Sequence, residues 1–79
     1  MLSYTDLDQM QAFGRMYAKN GQRAPLNSAL DYWEIADDAE KVRLHSYFSE
    51  GVRNNCDGMY HYQAVMDQFD LLCVQGARV

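Results

Sequence analysis

Hydrophobic residues near the C-terminus recur at intervals of three and four, the spacing that places side chains on one face of an α-helix. This stripe consists of Met59, Tyr62, Val65, Met66, Phe69, Leu72 and Cys73. A strand would alternate with a period of two, so the spacing predicts a helix over residues 59 to 75. A helix of this length is marginal in water, so its apolar face must pack against other helices or a second chain.

The N-terminal part of the chain carries signals for a first helix. Ser3 and Asp6 have the spacing of a capping box, and the apolar face that follows predicts a helix over residues 5 to 20. Gly21 favours the left-handed backbone that closes a helix. Pro25 disfavours helical backbone at the residue before it. We therefore expect a loop between residue 21 and a second helix that starts at residue 27.

The middle of the chain is predicted to form helices over residues 27 to 36 and 38 to 54, although one bent helix fits the pattern as well. Asp37 and Glu40 have capping-box spacing, which favours a new helix there. Gly51 indicates either fraying or a close contact with another helix. No alternating Val, Ile and Thr run occurs, so we predict an all-α fold, a small bundle of three to four helices in a single domain.

Composition favours a folded, soluble chain that could depend on a partner. The 79 residues are 48% hydrophobic and 13% aromatic, which is too rich for intrinsic disorder. A core of this size supplies only about 3–5 kcal/mol, so association with a partner or a second copy is open. No apolar run approaches the roughly 20 residues that span a bilayer, and the first residues lack the basic start and apolar core that a signal peptide would have. We expect a cytoplasmic protein without membrane contact.

Cysteine and histidine residues give little sign of chemistry. Helical rise separates Cys56 from Cys73 by about 25 Å, too far for a disulfide, so both are expected to be reduced. Cys56 and His61 could be imagined as nucleophile and base, and together with His45 and Cys73 as zinc ligands, but neither set converges on the predicted helices. No phosphate-binding loop, metal motif or nucleophile elbow occurs. We therefore expect no enzyme, no cofactor and no metal.

Direct binding to nucleic acid is not favoured by the sequence. A helix-turn-helix would carry a small residue and an aliphatic residue where this chain has Tyr17 and Asn27. The basic residues Arg15, Lys19 and Arg23 are spaced to share one helical face, which is the remaining support for such a role. Cations near a helix C-terminus also complement the helix dipole, and we prefer that explanation.

Charge is unevenly distributed along this acidic chain, whose net charge is −4. Residues 31 to 40 contain five acids and no base, which indicates either a solvated face or a docking patch for a basic protein surface. Asp31, Glu34 and Asp38 would share one face of a continuous helix. Tyrosines off the main stripes could serve as interface anchors. The predicted partner-binding residues are Asp31, Tyr32, Glu34, Asp38 and Tyr60.

These observations favour a small protein-binding module, a stoichiometric inhibitor or regulator that covers a basic functional surface of a larger protein. Immunity proteins of nuclease toxins and phage-encoded or mobile-element antagonists act in this way, and the analogy is one of class because no motif carries it. The alternative is a structural or regulatory homodimer built on the stripe between Met59 and Cys73. In that alternative, Arg15, Lys19 and Arg23 could form a weak nucleic-acid-binding face.

Overall fold

The computed structural model describes residues 2 to 75, which form four packed α-helices without a strand in that part of the chain. The helices are α1 (Tyr4–Asn20), α2 (Arg23–Ile35), α3 (Asp38–Arg53) and α4 (Met59–Gln75). The predicted all-α bundle is thereby confirmed. None of the described helices is both long and apolar enough to cross a bilayer.

Both predicted capping boxes are present and fix where α1 and α3 begin. The Ser3 hydroxyl accepts the Asp6 N–H at 3.2 Å, and Asp6 accepts the Ser3 N–H at 3.0 Å. Asp37 and Glu40 make the same reciprocal pair at the start of α3. Glu40 also accepts the backbone N–H of Leu2 at 2.9 Å, which holds the N-terminal segment against α3. The middle of the chain is therefore two helices, because a cap begins a new one.

The predicted loop before α2 is too long. We expected α2 to begin at residue 27, but it begins at Arg23, and Pro25 occupies the third helical position. The first turn of a helix has N–H groups without intrahelical acceptors, so a proline there removes no hydrogen bond. Only Gly21, in the left-handed conformation with φ of 66°, and Gln22 separate α1 from α2.

The predicted apolar stripe of α4 packs into the interior. Phe69 is fully buried, and its ring stacks on that of Phe48 from α3 at a centroid distance of 4.0 Å. The remaining buried α4 residues are Val65, Met66 and Leu72. Met59 of the predicted stripe lies outside the core and is 74% exposed, and Val42 on α3, three residues before the ring of His45 that lies against Phe69, is 71% exposed. Both lie in the first or second turn of a helix, beyond the cover of its neighbours.

The α1 and α3 backbones approach each other closely where Gly14 and Gly51 lie. A Cβ on Gly51 would overlap the carbonyl oxygen of Gln11, and a Cβ on Gly14 would overlap the carbonyl oxygen of Phe48. Such contacts cannot be relieved by rotating a side chain, so the crossing requires glycine at both positions. Of the two readings that the sequence allowed for Gly51, the close helix contact is confirmed.

Candidate protein-docking surface

The acidic segment of residues 31 to 40 is divided between two helices. Asp31 and Glu34 are exposed on α2, and Asp38 is exposed in the first turn of α3. The prediction that these three carboxylates share one helical face is wrong. Ala36 has extended backbone, with φ of −89° and ψ of 146°, and interrupts the helix between them. Only the two carboxylates on α2 keep the predicted spacing along one helix.

An open groove of about 470 Å³ runs along the seam between α1 and α2. Its lining consists of Phe13, Ser28, Asp31, Tyr32, Glu34 and Ile35, and we refer to it as the acidic groove. The rings of Phe13 and Tyr32 have centroids 6.0 Å apart. Ile35, the last residue of α2, is 77% exposed. The groove thus combines aromatic and aliphatic surface with the two exposed carboxylates of α2.

Tyr32 is held in this groove by a contact with α1. Its hydroxyl donates a hydrogen bond to Asp6 Oδ1 at 3.3 Å. Burial, and then the negative charge of Asp6, raises the pKa of Tyr32. The backbone N–H of Ser3, which donates to the carboxylate, lowers the pKa of Asp6. Tyr32 is therefore a half-buried wall of the groove with a fixed ring, whereas the sequence suggested a tyrosine off the main stripes that could anchor a partner.

Tyr60 does not belong to the same surface. It is 97% exposed near the start of α4. In the middle of α3, His45 Nε2 lies 2.7 Å from Asp70 Oδ1 in the second half of α4, and at the end of α3 the Arg53 guanidinium lies 5.4 Å from the centroid of the Tyr62 ring in the first turn of α4. The two helices are thus antiparallel. The start of α4 lies beside the end of α3, which is about 24 Å from its beginning at the α2–α3 turn.

The basic residues Arg15, Lys19 and Arg23 are all exposed, but they do not extend one helical face. The chain reverses at Gly21, so Arg23 belongs to α2 and the predicted spacing over a single helix is wrong. Arg23 instead lines a separate depression of about 400 Å³ with Tyr17 and residues of α4. The arrangement offers no continuous row of cations along a helix.

Cys56 lies in the turn between α3 and α4, and His61 lies in the first turn of α4. Burial, and then the charge of Asp57, raises the pKa of the Cys56 thiol, so the nucleophilic thiolate is disfavoured. His61 Nδ1 accepts the backbone N–H of Asp57 at 3.3 Å. That contact uses one imidazole nitrogen for the turn itself. The pair does not show the activated thiol that nucleophilic catalysis requires.

His45 and Cys73 have intramolecular environments of their own. His45 contacts Asp70, and its ring lies 6.1 Å from that of Phe69. Burial, then the charge of Asp70, raises the pKa of the Cys73 thiol to about 12, while Lys41 acts in the opposite direction. In residues 2 to 75, no three His, Cys, Asp or Glu side chains come together as a metal site.

Sequence reasoning missed Phe13 and Ile35 as parts of the groove. Phe13 is half-buried against the core on the apolar face of α1, but part of its ring lines the groove. Helical spacing places Ile35 away from the face shared by Leu30 and Trp33, and this spacing could have indicated that Ile35 is an exposed apolar residue.

No protein-family model matches the chain, and neither the curated proteins nor the solved structures yield a match.

Proposed function

We propose that this chain is a protein-binding module whose acidic groove docks a basic, partly apolar surface of a larger protein. The observation that carries the proposal is the position of Ile35, an exposed apolar side chain in a concave site beside Asp31 and Glu34. A single exposed apolar residue is ordinary on a protein surface. An apolar concavity that also presents two like charges is a more selective feature.

The chemistry of the groove defines the complementary segment. An apolar side chain inserted between α1 and α2 would contact Ile35 and the rings of Phe13 and Tyr32. A neighbouring Lys or Arg could lay its aliphatic stem along the same surface and bring its cation to the carboxylates. The net charge of −4 would accelerate encounter with such a partner.

The activity that follows is occlusion by stoichiometric binding. A basic surface that functions by holding nucleic acid or another anion loses that function when an acidic protein covers it. We therefore propose an inhibitor or regulator of the type represented by immunity proteins and phage-encoded antagonists, as an analogy of class. The proposal assigns no catalytic step to the chain.

The homodimer built on the predicted α4 stripe has less support. Met66, Phe69 and Leu72 from that stripe are between 0% and 5% exposed within one copy of the chain. Side chains buried in the core cannot also form a subunit interface without unfolding their surroundings. We therefore do not propose this stripe as an interface.

The proposal can be tested with a labelled peptide that carries leucine between lysines, and with the same peptide carrying glutamate in place of lysine. Fluorescence anisotropy would measure both affinities at low and high salt. The double variant Asp31→Lys with Glu34→Lys should weaken binding of the lysine peptide on the order of tenfold and flatten its salt dependence. Loss of the apolar contact in Ile35→Ser should also weaken binding.

The matched control is the double variant Glu50→Lys with Asp57→Lys. It changes net charge by the same amount at exposed positions near the opposite end of α3. The control should retain binding of the lysine peptide with only a small loss. Equal weakening in both double variants would mean that net charge alone attracts the peptide. The acidic segment would then be a solvated face, and the docking proposal would fail.

A further inference from the structure

The outer face of α4 carries a second apolar stripe, opposite the one that packs into the core. It consists of Tyr60, Ala64, Asp67, Leu71 and Val74, and we refer to it as the outer stripe. All five residues are exposed, and the three largest apolar side chains among them are 97%, 50% and 87% exposed in chain order. The helix is thus apolar on two faces, while only one face is covered by α2 and α3.

The spacing of the outer stripe is that of a helix-packing seam. Its members follow one another at intervals of four, three, four and three residues, which is the a and d pattern of a heptad repeat. On a core-facing helix of a globular protein, a stripe of this kind is normally covered by another helix. The outer stripe therefore has the form of a surface that accepts one further helix.

Asp67 at the centre of the outer stripe decides against a second copy of this chain as that helix. In a parallel pair, or in an antiparallel pair centred on this residue, the two Asp67 carboxylates would face each other. In a symmetric antiparallel pair displaced by one position, each carboxylate would pack against Ala64 or Leu71. Both arrangements are unfavourable, because the first brings like charges together and the second desolvates an unpaired charge.

The charges along α4 favour a cation in the partner. α4 contains Asp67 and Asp70 and no Lys or Arg. Asp70 contacts His45, whereas Asp67 accepts a hydrogen bond from Gln63 Nε2 at 2.8 Å, a neutral contact from the same helix. Among residues 2 to 75, no Lys, Arg or His side chain forms an ion pair with Asp67, so within this part of the chain its carboxylate is oriented but not neutralised. Its remaining acceptor sites suit a Lys or Arg from a facing helix.

We propose that the outer stripe binds an amphipathic helix of another protein, one that carries apolar residues at heptad spacing and a Lys or Arg opposite Asp67. This proposal rests on different residues from the proposed function, because the outer stripe lies on α4 and the acidic groove lies on α1 and α2. Together the two surfaces would allow one copy of the chain to contact two segments of a partner, or two partners.

The decisive experiment is a charge exchange with defined peptides. Two synthetic helical peptides of three heptads carry leucine at the a and d positions, except for one central position that holds lysine in one peptide and glutamate in the other. The native chain should bind the lysine peptide at least about tenfold more tightly than the glutamate peptide. In the variant Asp67→Lys the preference should reverse. An unchanged preference would overturn the proposal.

Controls separate this surface from the acidic groove. Leu71→Ser should weaken binding of the lysine peptide on the order of tenfold, since it removes the apolar contact of the outer stripe that follows Asp67. Ile35→Ser, which removes an equally apolar exposed side chain from the acidic groove, should leave this binding unchanged. If Ile35→Ser weakens binding and Leu71→Ser does not, the peptide occupies the groove, and the outer-stripe proposal falls while the proposed function stands.

Sedimentation of the chain alone tests whether a second copy of the chain, and not a helix of another protein, covers the outer stripe. The native chain should remain monomeric over about a hundredfold range of concentration, whereas Asp67→Leu should self-associate because its stripe is uninterrupted. Gln68→Leu, an adjacent exposed position outside the stripe, should stay monomeric. A native dimer that dissociates on substitution of Leu71 by Ser would show that a second copy covers the stripe, and would overturn the proposal. All these positions are exposed, and circular dichroism would verify that each variant folds.

Discussion

Replacing Gly51 by alanine tests the closest contact in the fold. Gly51 is buried on α3, and an added Cβ would overlap the carbonyl oxygen of Gln11 and lie 3.0 Å from the backbone nitrogen of Arg15. Both atoms belong to the backbone of α1. Separation of the two helices is therefore the only relief, and it would loosen the packing of Leu7 and Met10 in the core.

Two effects of opposite sign determine how much Gly51→Ala changes the free energy of unfolding. Alanine is a better helix former than glycine and contributes about 1 kcal/mol of stability in a helix interior. Overpacking usually costs about 1–3 kcal/mol, and a rigid backbone contact belongs at or above the upper end of that range. The expected net loss is about 2 kcal/mol. A domain of 79 residues has a total stability of roughly 4–12 kcal/mol, so this loss is a substantial share.

Thermal unfolding followed by circular dichroism measures this effect. A loss of about 2 kcal/mol should lower the Tm of Gly51→Ala by roughly 8–16 °C. Ser46→Ala is the matched control, because Ser46 is exposed on the same helix and its replacement reports helix propensity without a new contact. The control should melt at the native temperature or slightly above it. A Gly51→Ala variant that also melts at or above the native temperature would refute the close approach of α1 and α3.

Three further predictions concern the core, a cap and a thiol. Phe69→Ala should cost about 3–5 kcal/mol in chemical denaturation because it removes a fully buried ring, while Met59→Ala at a 74% exposed position should cost less than about 0.5 kcal/mol; similar losses would contradict the assigned core. Asp37→Ala should cost about 1 kcal/mol and Asp37→Asn much less, since asparagine keeps the capping acceptor; equal losses would point away from the cap. Burial raises the pKa of the Cys73 thiol to about 12, so the stability that the neutral thiol contributes is fully present below the ordinary thiol pKa and is lost as pH rises towards 12. Cys73→Ala should therefore flatten the decline of Tm at alkaline pH. An unaltered decline would refute the raised pKa of this thiol.

The sequence by itself determined the helices, because the interactions that start and stop them are local. The capping boxes at Ser3 and Asp37 join residues three positions apart, and Gly21 ends α1 through its own backbone conformation. The period of the apolar residues then fixed the inner face of α4. The predicted start of α2 was wrong because of Pro25. A proline is tolerated in the first turn of a helix but not in later turns, and helix propensity does not resolve a difference of a few positions.

Only the tertiary structure decided which apolar residues are covered and which polar residues meet. Met59 and Val42 look like core residues in the periodic pattern, yet both are exposed because the neighbouring helices do not cover them. The acidic groove arises where Phe13 on α1 meets Tyr32 on α2, a contact between residues far apart in sequence. The outer stripe of α4 could be counted from the sequence, but its availability follows from the side on which α2 and α3 pack. Periodicity defines the faces of a helix, whereas burial depends on the positions of the other helices, which local sequence does not encode.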